Sequence, residues 1–219
     1  MSGTERIAVL GGTGNLGAAI ARRLAKAGRS VVIGSRSAEN AEKAAAELGF
    51  GLTGMDNVDA VNACDIVILT VPFSAHGSTL ATIAPHIGGK LVVDTTVPLV
   101  PPKVMRVQMP AEGSAAELTR LALPEGTRVT SAFHSVAAHK LITDNDVDCD
   151  VLVFGDAKAD RQIIVDLCEP MGLRGIHGGA LVNSAAAEAL TSVLIFLNKT
   201  SQVDGAGIRI TGKLVPPAA

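Results

Sequence analysis

Three glycines near the start of the chain have the spacing of a phosphate-binding turn. Residues 7–17 read IAVLGGTGNLG, an apolar run that leads into Gly12, Gly14 and Gly17 in the order G-x-G-x-x-G. The first glycine of this pattern permits a tight turn, the second lets the backbone approach a pyrophosphate, and the third lets a helix pack on a strand. The N–H groups at the start of that helix attract an anion. We therefore predict a dinucleotide site here, with a purely structural turn as the alternative.

The residues that end the second predicted strand indicate which dinucleotide binds. Residues 31–36 read VVIGSR, so Ser35 and Arg36 stand where NAD-binding proteins place an acid for the ribose 2′-hydroxyl. A guanidinium group pairs well with phosphate oxygens. The pattern favours NADP, which carries a 2′-phosphate, and the alternative is that Arg36 is a solvated surface charge.

A histidine at the end of a later strand is the candidate for a group at the reacting centre. His134 follows the predicted strand 128–133, and open α/β sheets bind ligands at the carboxyl ends of their strands. The alternative, which the sequence supports equally well, is that His134 is a hydrogen-bonded histidine of the core. The chain has no Tyr, which excludes short-chain dehydrogenases with a Tyr-x-x-x-Lys pair. His134, His139 and the acids at 144–150 match neither a zinc nor a calcium pattern, so we predict no metal site.

Composition and charge restrict the class of protein. The 219 residues are 47% hydrophobic with a net charge of −2, which allows a large core and does not favour nucleic acid or anionic membranes as partners. There is no signal-peptide pattern, and no apolar run reaches the roughly 18 residues of a membrane span. Cys64, Cys149 and Cys168 are far apart in sequence and are typical of buried thiols in a reducing compartment. We expect a cytoplasmic protein.

Alternating strand and helix patterns must position these residues. They predict an α/β fold, a Rossmann-type doubly wound and mostly parallel sheet with a small C-terminal α/β extension. Predicted strands cover 6–10, 30–33, 51–54, 65–71, 91–94, 128–133 and 151–154; predicted helices cover 16–27, 37–48, 56–63, 77–87, 114–123, 157–171 and 180–200. We expect a nucleotide-binding domain over 1–155. Residues 156–219, with a long apolar helix, are expected to contribute to an acceptor pocket and a dimer contact.

Several motifs together resemble one family of reductases. They are GGTGNLG at 11–17, GSR at 34–36, GMDNVDAVNACDIVILTVPF at 54–73, VPL at 97–99, AFHSVAAH at 132–139 and GAGIRI at 205–210. In this combination the chain resembles NADPH-dependent coenzyme F420 reductases from residue 6 to about residue 211. The resemblance implies NADP and coenzyme F420 as cofactors, a homodimer, and hydride transfer between NADPH and the deazaflavin or a flavin-like acceptor.

The resemblance also implies roles for individual residues. The implied cofactor-binding residues are Gly12, Thr13, Gly14, Asn15, Leu16, Gly17, Ser35, Arg36, Asn40, Val71, Pro72, Ala75, Val97, Val136, Ala138 and Ala206. His134 would position the deazaflavin ring together with Val136. The chain departs from the family at Asn40, where a lysine is common, at Phe73 in place of Trp and at Ala137 in place of Pro.

Two other functions fit the residues. One is an NADPH-dependent reductase of a small imine or carbonyl compound, with His134 as the proton donor. The other is a non-catalytic NADP-binding sensor. Hydride transfer between two ring cofactors needs alignment more than an acid, so the lack of Tyr does not argue against the F420 hypothesis.

Overall fold

The computed structural model describes residues 5–201 and 203–213. The strands of this part are β1 Ile7–Leu10, β2 Val31–Ser35, β3 Thr53–Asp56, β4 Ile66–Leu69, β5 Leu91–Asp94, β6 Arg128–Ser131, β7 Asp150–Gly155 and β8 Arg174–Gly179. The α-helices are α1 Asn15–Lys26, α2 Ala38–Leu48, α3 Asn57–Asn62, α4 Phe73–Ile83, α5 Ala115–Ala122, α6 Ala138–Leu141, α7 Lys158–Cys168 and α8 Ser184–Thr200. Short 3₁₀ helices follow α4 and α7 and precede α8. The order of these elements is the predicted alternation of strands and helices, with two elements that were not predicted, the short helix α6 and the strand β8.

One sheet joins all eight strands, in the order β3-β2-β1-β4-β5-β6-β7-β8. The first six strands are parallel, and β7 runs antiparallel to β6. Five strand residues stand in one row across the sheet, namely Gly34, Leu10, Leu69, Asp94 and Ser131. We call this row the carboxyl edge. The loops that follow β1, β2, β4, β5 and β6 all leave the sheet there, which is where open α/β sheets bind ligands.

The central strands are buried on both faces, which explains their continuous apolar sequences. In β1, Ile7 and Val9 belong to a core cluster that includes residues of α1 and α7, while Ala8 and Leu10 belong to a second cluster with residues of α3, α4 and α5. Successive side chains of a strand point to opposite faces, so helices on both faces are needed to cover them. The result is the predicted doubly wound fold.

Local signals determined several helix starts. Ser37 accepts a hydrogen bond from Asn40 N at 3.3 Å, and Ser114 accepts one from Glu117 N at 3.0 Å, as N-cap serines do. The expected start of α4 at residue 77 is wrong. That helix begins at Phe73, because Pro72 has a φ of −59° and serves as its N-cap.

Several strands differ from the prediction. β4 and β6 each end two residues earlier than expected, at Leu69 and Ser131, so His134 lies three residues beyond β6. β2 ends two residues later than expected, at Ser35. The third strand covers Thr53–Asp56, two residues later than expected, and Asp56 caps α3. The edge strand β8 was not predicted, because its sequence RGIHGG contains three glycines and only one aliphatic residue. The expected domain boundary after residue 155 falls at the end of β7, a strand that pairs with β8.

The sequence predicts no apolar run long enough to span a membrane. The helical segment Leu181–Thr200 nevertheless has the length and composition to cross one. Core helices pass the same test. On α8 the Glu188 carboxylate is 1% exposed and binds the first turn of α5. On the outer face of α8, the side chains of Val193, Phe196 and Leu197 are exposed.

Candidate functional site

Crowding around the glycine turn explains why its residues lack side chains. The left-handed backbone falls at Gly11, with φ of +78°, and not at Gly12, to which the motif assigned the tight turn. A Cβ on Gly12 would lie 2.8 Å from the Val9 carbonyl oxygen. A Cβ on Gly17 would lie 2.6 Å from the Gly11 carbonyl oxygen and would overlap the Thr70 hydroxyl. The turn therefore packs directly against β1 and the loop after β4.

The start of α1 is open to an anion. Gly14 is its N-cap and offers no side-chain hydrogen bond, and the first turn of α1 contains no acid. Thr13, Gly14 and Asn15 are exposed, while Leu16 is half-buried. The first N–H groups of a helix have no partner within the helix, so they and the helix dipole point toward solvent here. These groups suit the pyrophosphate of a dinucleotide.

The end of β2 carries a cation in place of an acid. Gly34 lies in the carboxyl edge, where a Cβ would overlap the Leu10 side chain. Ser35 is half-buried and Arg36 is exposed. Asn40 lies on the first turn of α2, where its backbone N–H binds the Ser37 hydroxyl. Among the described residues, no acid lies within ion-pair distance of Arg36, whose guanidinium suits a 2′-phosphate.

The loops after β4 and β5 leave the sheet side by side. Thr70 N donates to the Leu10 carbonyl oxygen at 2.8 Å, and Thr95 N donates to the Leu69 carbonyl oxygen at 3.1 Å. These bonds continue the sheet beyond the strand ends. The predicted contacts of these loops and of α4 are Val71, Pro72, Ala75 and Val97, of which Pro72 is exposed and the others are half-buried. They can line one pocket beside the glycine turn.

His134 is held in place in the loop that follows β6, three residues beyond the end of the strand. It is 7% exposed, and its Nε2 lies 2.8 Å from the Ser131 hydroxyl oxygen. The ring of Phe154 lies 6.2 Å away between centroids. Burial lowers the pKa of His134 to about 4, so the imidazole is neutral at pH 7. A neutral, fixed ring can form a wall of a pocket, but it is a poor proton donor.

The predicted residues near the C-terminus meet those of the loop after β6. Ala206 N donates to Asn198 Oδ1 at 2.6 Å, which ties the C-terminal segment to α8. A Cβ on the preceding Gly205 would lie 2.9 Å from the Ala137 Cβ, so the two segments are in close contact. The segment that contains Ala206 thus lies beside the loop that contains Val136 and Ala138.

A buried polar cluster at the end of β5 was missed by sequence reasoning. Asp94 is 0% exposed, and its Oδ2 accepts a 2.6 Å hydrogen bond from Thr119 Oγ1 and lies 2.8 Å from His76 Nε2. Burial alone would raise the pKa of Asp94, but the hydrogen bonds from His76 and Thr119 hold it below its usual value. The available signal was an acid that closes the apolar strand sequence LVVD.

Glu188 is a second buried acid that the sequence did not assign. Its carboxylate accepts hydrogen bonds from Ala115 N at 2.7 Å and Ala116 N at 3.2 Å, so α8 caps the start of α5. Ser184 Oγ donates to the same carboxylate at 3.2 Å. Burial raises the pKa of Glu188 to about 7, although the backbone hydrogen bonds oppose the shift.

All these elements define a class of protein. A Rossmann-type sheet carries an open helix N-terminus at its carboxyl edge, a cation where NAD-binding proteins place an acid, and a buried, neutral histidine in the loop that follows β6. This is the architecture of an NADP-dependent oxidoreductase.

The comparisons with known proteins agree with this class. Residues 6–98 match the family described as NADP oxidoreductase, coenzyme F420-dependent. The F420-dependent NADP reductase of Methanothermobacter thermautotrophicus is 40% identical over 94% of this chain and 94% of that protein. The F420-dependent NADP reductase of Methanocaldococcus jannaschii is 38% identical over 94% of this chain and 98% of that protein. The chain belongs to the F420-dependent NADP reductase family.

A solved structure supports the fold. The crystal structure of a hypothetical protein SMa0349 from Sinorhizobium meliloti matches with a TM-score of 0.70 at 22% identity, and covers 83% of this chain and 88% of that one. At this identity the likeness concerns the fold alone.

Proposed function

We propose that this protein transfers a hydride between NADPH and the deazaflavin coenzyme F420. The observation that carries the proposal is the carboxyl edge, where the loops after β1, β2, β4, β5 and β6 leave side by side. An open phosphate turn thereby lies next to the uncharged residues Val71, Pro72 and Val97 of the loops after β4 and β5. Family membership over nearly the whole chain supports F420 as the acceptor.

The residues present fit both cofactors. The start of α1 would hold the pyrophosphate, and Ser35 and Arg36 would hold the 2′-phosphate. Val71, Pro72, Ala75 and Val97 would line the nicotinamide half. His134, Val136, Ala138 and Ala206 would wall the deazaflavin. The expected extension 156–219 would contribute through α8 and the segment up to residue 213, while residues 202 and 214–219 lie outside the described residues.

The chemistry comes from the cofactors. When bound, NADPH supplies the hydride from C4 and becomes NADP⁺, and the deazaflavin takes up the hydride at C5 together with one proton. The protein has to hold the rings close and exclude water. Its contribution is therefore a set of rigid, largely apolar surfaces.

The state of His134 disfavours the imine or carbonyl reductase. That reaction needs a proton donor near the substrate, and a buried histidine with a pKa of about 4 is neutral at pH 7, so its one remaining N–H is too weak an acid for this role. Positioning of the deazaflavin ring makes no such demand. The same neutral imidazole fits the proposed role.

The direct test mixes the purified protein with NADPH and oxidised F420 and follows the deazaflavin absorbance. We expect loss of that absorbance, with NADP⁺ formed in equal amount. Tight NADPH binding without loss of absorbance would overturn the choice of acceptor. Turnover of a small imine or ketone without F420 would favour the alternative reductase, and NADPH binding with neither activity would favour a sensor.

We also propose a homodimer that covers the outer face of α8. Val193, Phe196 and Leu197 are exposed there at i, i+3 and i+4 spacing, the apolar stripe of a packed helix. Light scattering should give twice the chain mass for the wild type and a lower mass for Phe196→Asp. Leu121→Asp, at another exposed leucine on α5, is the control that should keep the dimer.

A cytoplasmic location is proposed as well, which the three buried free thiols support.

A further inference from the structure

We propose that the buried cluster of His76, Asp94 and Thr119 positions the loop after β5 and the start of α4, which flank the proposed nicotinamide pocket. This assigns His76 and Asp94 as positioning residues for hydride transfer. The inference rests on the proposed function, since it concerns the geometry of the same pocket. No predicted site residue belongs to the cluster.

A single carboxylate joins three elements. Oδ1 of Asp94 accepts a hydrogen bond from Thr96 N at 2.8 Å, which fixes the loop after β5. Oδ2 accepts the hydrogen bond from Thr119 Oγ1 on α5 at 2.6 Å and contacts His76 Nε2 on α4 at 2.8 Å. His76 Nε2 also lies 2.9 Å from Thr119 Oγ1. The loop, α4 and α5 therefore share one anchor.

The anchor is adjacent in sequence to predicted cofactor contacts on the loop after β5 and on α4. Thr96 immediately precedes Val97, and His76 immediately follows Ala75. The paired residues Leu69 and Asp94 end neighbouring strands in the carboxyl edge, so both loops start from the same point of the sheet. A shift of the Asp94 carboxylate would move the loop after β5 and the start of α4, and with them both sides of the proposed pocket.

Burial shows that the cluster acts through structure and not by contact with a ligand. Asp94 and Thr119 are 0% exposed and His76 is 2% exposed. Burying charged and polar groups is costly unless they are fully hydrogen-bonded, and apolar residues of similar size often fill such a space at no loss of stability. What the cluster adds is a single defined geometry for the groups that it joins. In hydride transfer, that geometry sets the rate.

The test separates ring positioning from phosphate binding. The variants are Asp94→Asn, His76→Leu and Thr119→Val, and the rescue variant is His76→Gln, whose Nε2 can replace the imidazole donor. Thr130→Val is the matched control, because Thr130 is equally buried but its hydroxyl donates to the Val92 carbonyl oxygen, away from Asp94. Each protein is titrated with NADPH and with 2′-phospho-ADP-ribose, which lacks the nicotinamide.

We expect single-turnover hydride transfer to F420 to fall about 10-fold to 100-fold in His76→Leu and Asp94→Asn, since small misplacements cost rates of that order. The affinity for 2′-phospho-ADP-ribose should stay within about twofold of the wild type, because the phosphate turn is untouched. His76→Gln should recover most of the rate. Thr130→Val should transfer hydride like the wild type.

Two further measurements can be made without F420. The anisotropy of nicotinamide fluorescence in bound NADPH should fall in the cluster variants, and the Thr96 amide should exchange its hydrogen faster in Asp94→Asn. A wild type that binds NADPH but does not reduce F420 would refute the proposed function and leave these two readouts to decide the positioning role.

Two results would overturn the inference. One is hydride transfer and nicotinamide anisotropy in His76→Leu and Asp94→Asn equal to those of Thr130→Val. The other is a parallel loss of affinity for NADPH and 2′-phospho-ADP-ribose, which would indicate general damage to the fold. If Asp94→Asn does not fold, Thr119→Val removes one hydroxyl from the cluster and carries the same comparison.

Discussion

The Thr191 hydroxyl on α8 donates to the carbonyl oxygen of His134, 3.0 Å away. The bond ties the C-terminal helix to the end of β6, directly after Phe133, whose φ of +69° is unusual for a residue with a side chain. Such a conformation costs on the order of 1–3 kcal/mol and persists only where surrounding contacts enforce it. The position of the His134 ring is therefore held from two sides, by Ser131 at its Nε2 and by Thr191 at its backbone.

Replacement of Thr191 by Val should lower the free energy of unfolding by about 1 kcal/mol, because the His134 carbonyl loses a partly buried hydrogen bond. Thr200→Val is the matched control, since the Thr200 hydroxyl donates only to Phe196 within the same helix. Urea unfolding of both variants measures the difference. Equal stability of the two would mean that the α8 contact contributes nothing to the hold on His134.

The choice of NADP over NAD should depend on Arg36. Arg36→Ala should weaken NADPH binding by about 1.5–3 kcal/mol through the loss of a charge-assisted pair, and should leave NADH binding nearly unchanged. The contribution of Arg36 is expected to be large because Asn40 offers no charge from the next turn. Isothermal titration with both cofactors measures the effect, and Lys43→Ala, at an exposed cation on α2, serves as the control. Equal weakening of NADPH and NADH would contradict the assignment.

Features that depend on neighbouring residues could be predicted from the sequence. The apolar runs of β1 and β4, the serine caps of α2 and α5 and the glycine turn each follow from local chemistry. The family motifs added candidate residues for the nicotinamide end, and these assignments stay predictions. β8 could not be predicted in this way, because its glycine-rich sequence forms a strand only by pairing with β7.

The buried polar groups escaped prediction for the same reason. Asp94 is 18 residues from His76 and 25 from Thr119 in sequence, and nothing in the local pattern of any of the three indicates the others. Glu188 was visible as a charge in an apolar helix, but its partners lie 72 and 73 residues earlier. Such contacts exist only after the sheet has brought the helices together.

The space around the glycines differs, so replacement by alanine should have opposite effects on stability at Gly17 and at Gly77. Gly17→Ala should destabilise the fold and abolish NADPH binding, because the new Cβ would press on the Gly11 carbonyl oxygen and the Gly12 Cα. Gly77→Ala should raise the free energy of unfolding by about 0.5–1 kcal/mol, since Gly77 lies inside α4 with open space around it. Thermal unfolding with and without NADPH checks both. Stabilisation by Gly17→Ala would refute the close contact of the turn with α1.

Glu188 should make the free energy of unfolding depend on pH in the direction opposite to that of a carboxyl whose pKa is lowered by folding. Burial raises the pKa of Glu188 from 4.5 to about 7, so the folded protein holds this proton more tightly than the unfolded chain does. The contribution is complete below pH 4.5 and is lost as the pH rises toward 7, because the unfolded state releases the proton first. At 1.36 kcal/mol per pKa unit the loss amounts to about 3 kcal/mol.

Comparison with Glu188→Gln isolates this contribution, because the amide keeps an acceptor oxygen for α5 and has no proton to release. The free energy of unfolding of the wild type minus that of the variant should fall between pH 4.5 and 7 and remain level above that range. Urea unfolding at a series of pH values measures the difference. Glu47→Gln, at an exposed glutamate on α2, is the control for a change of net charge. A flat difference across the interval would mean that Glu188 is ionised in the folded protein throughout, with the two backbone N–H groups of α5 outweighing its burial.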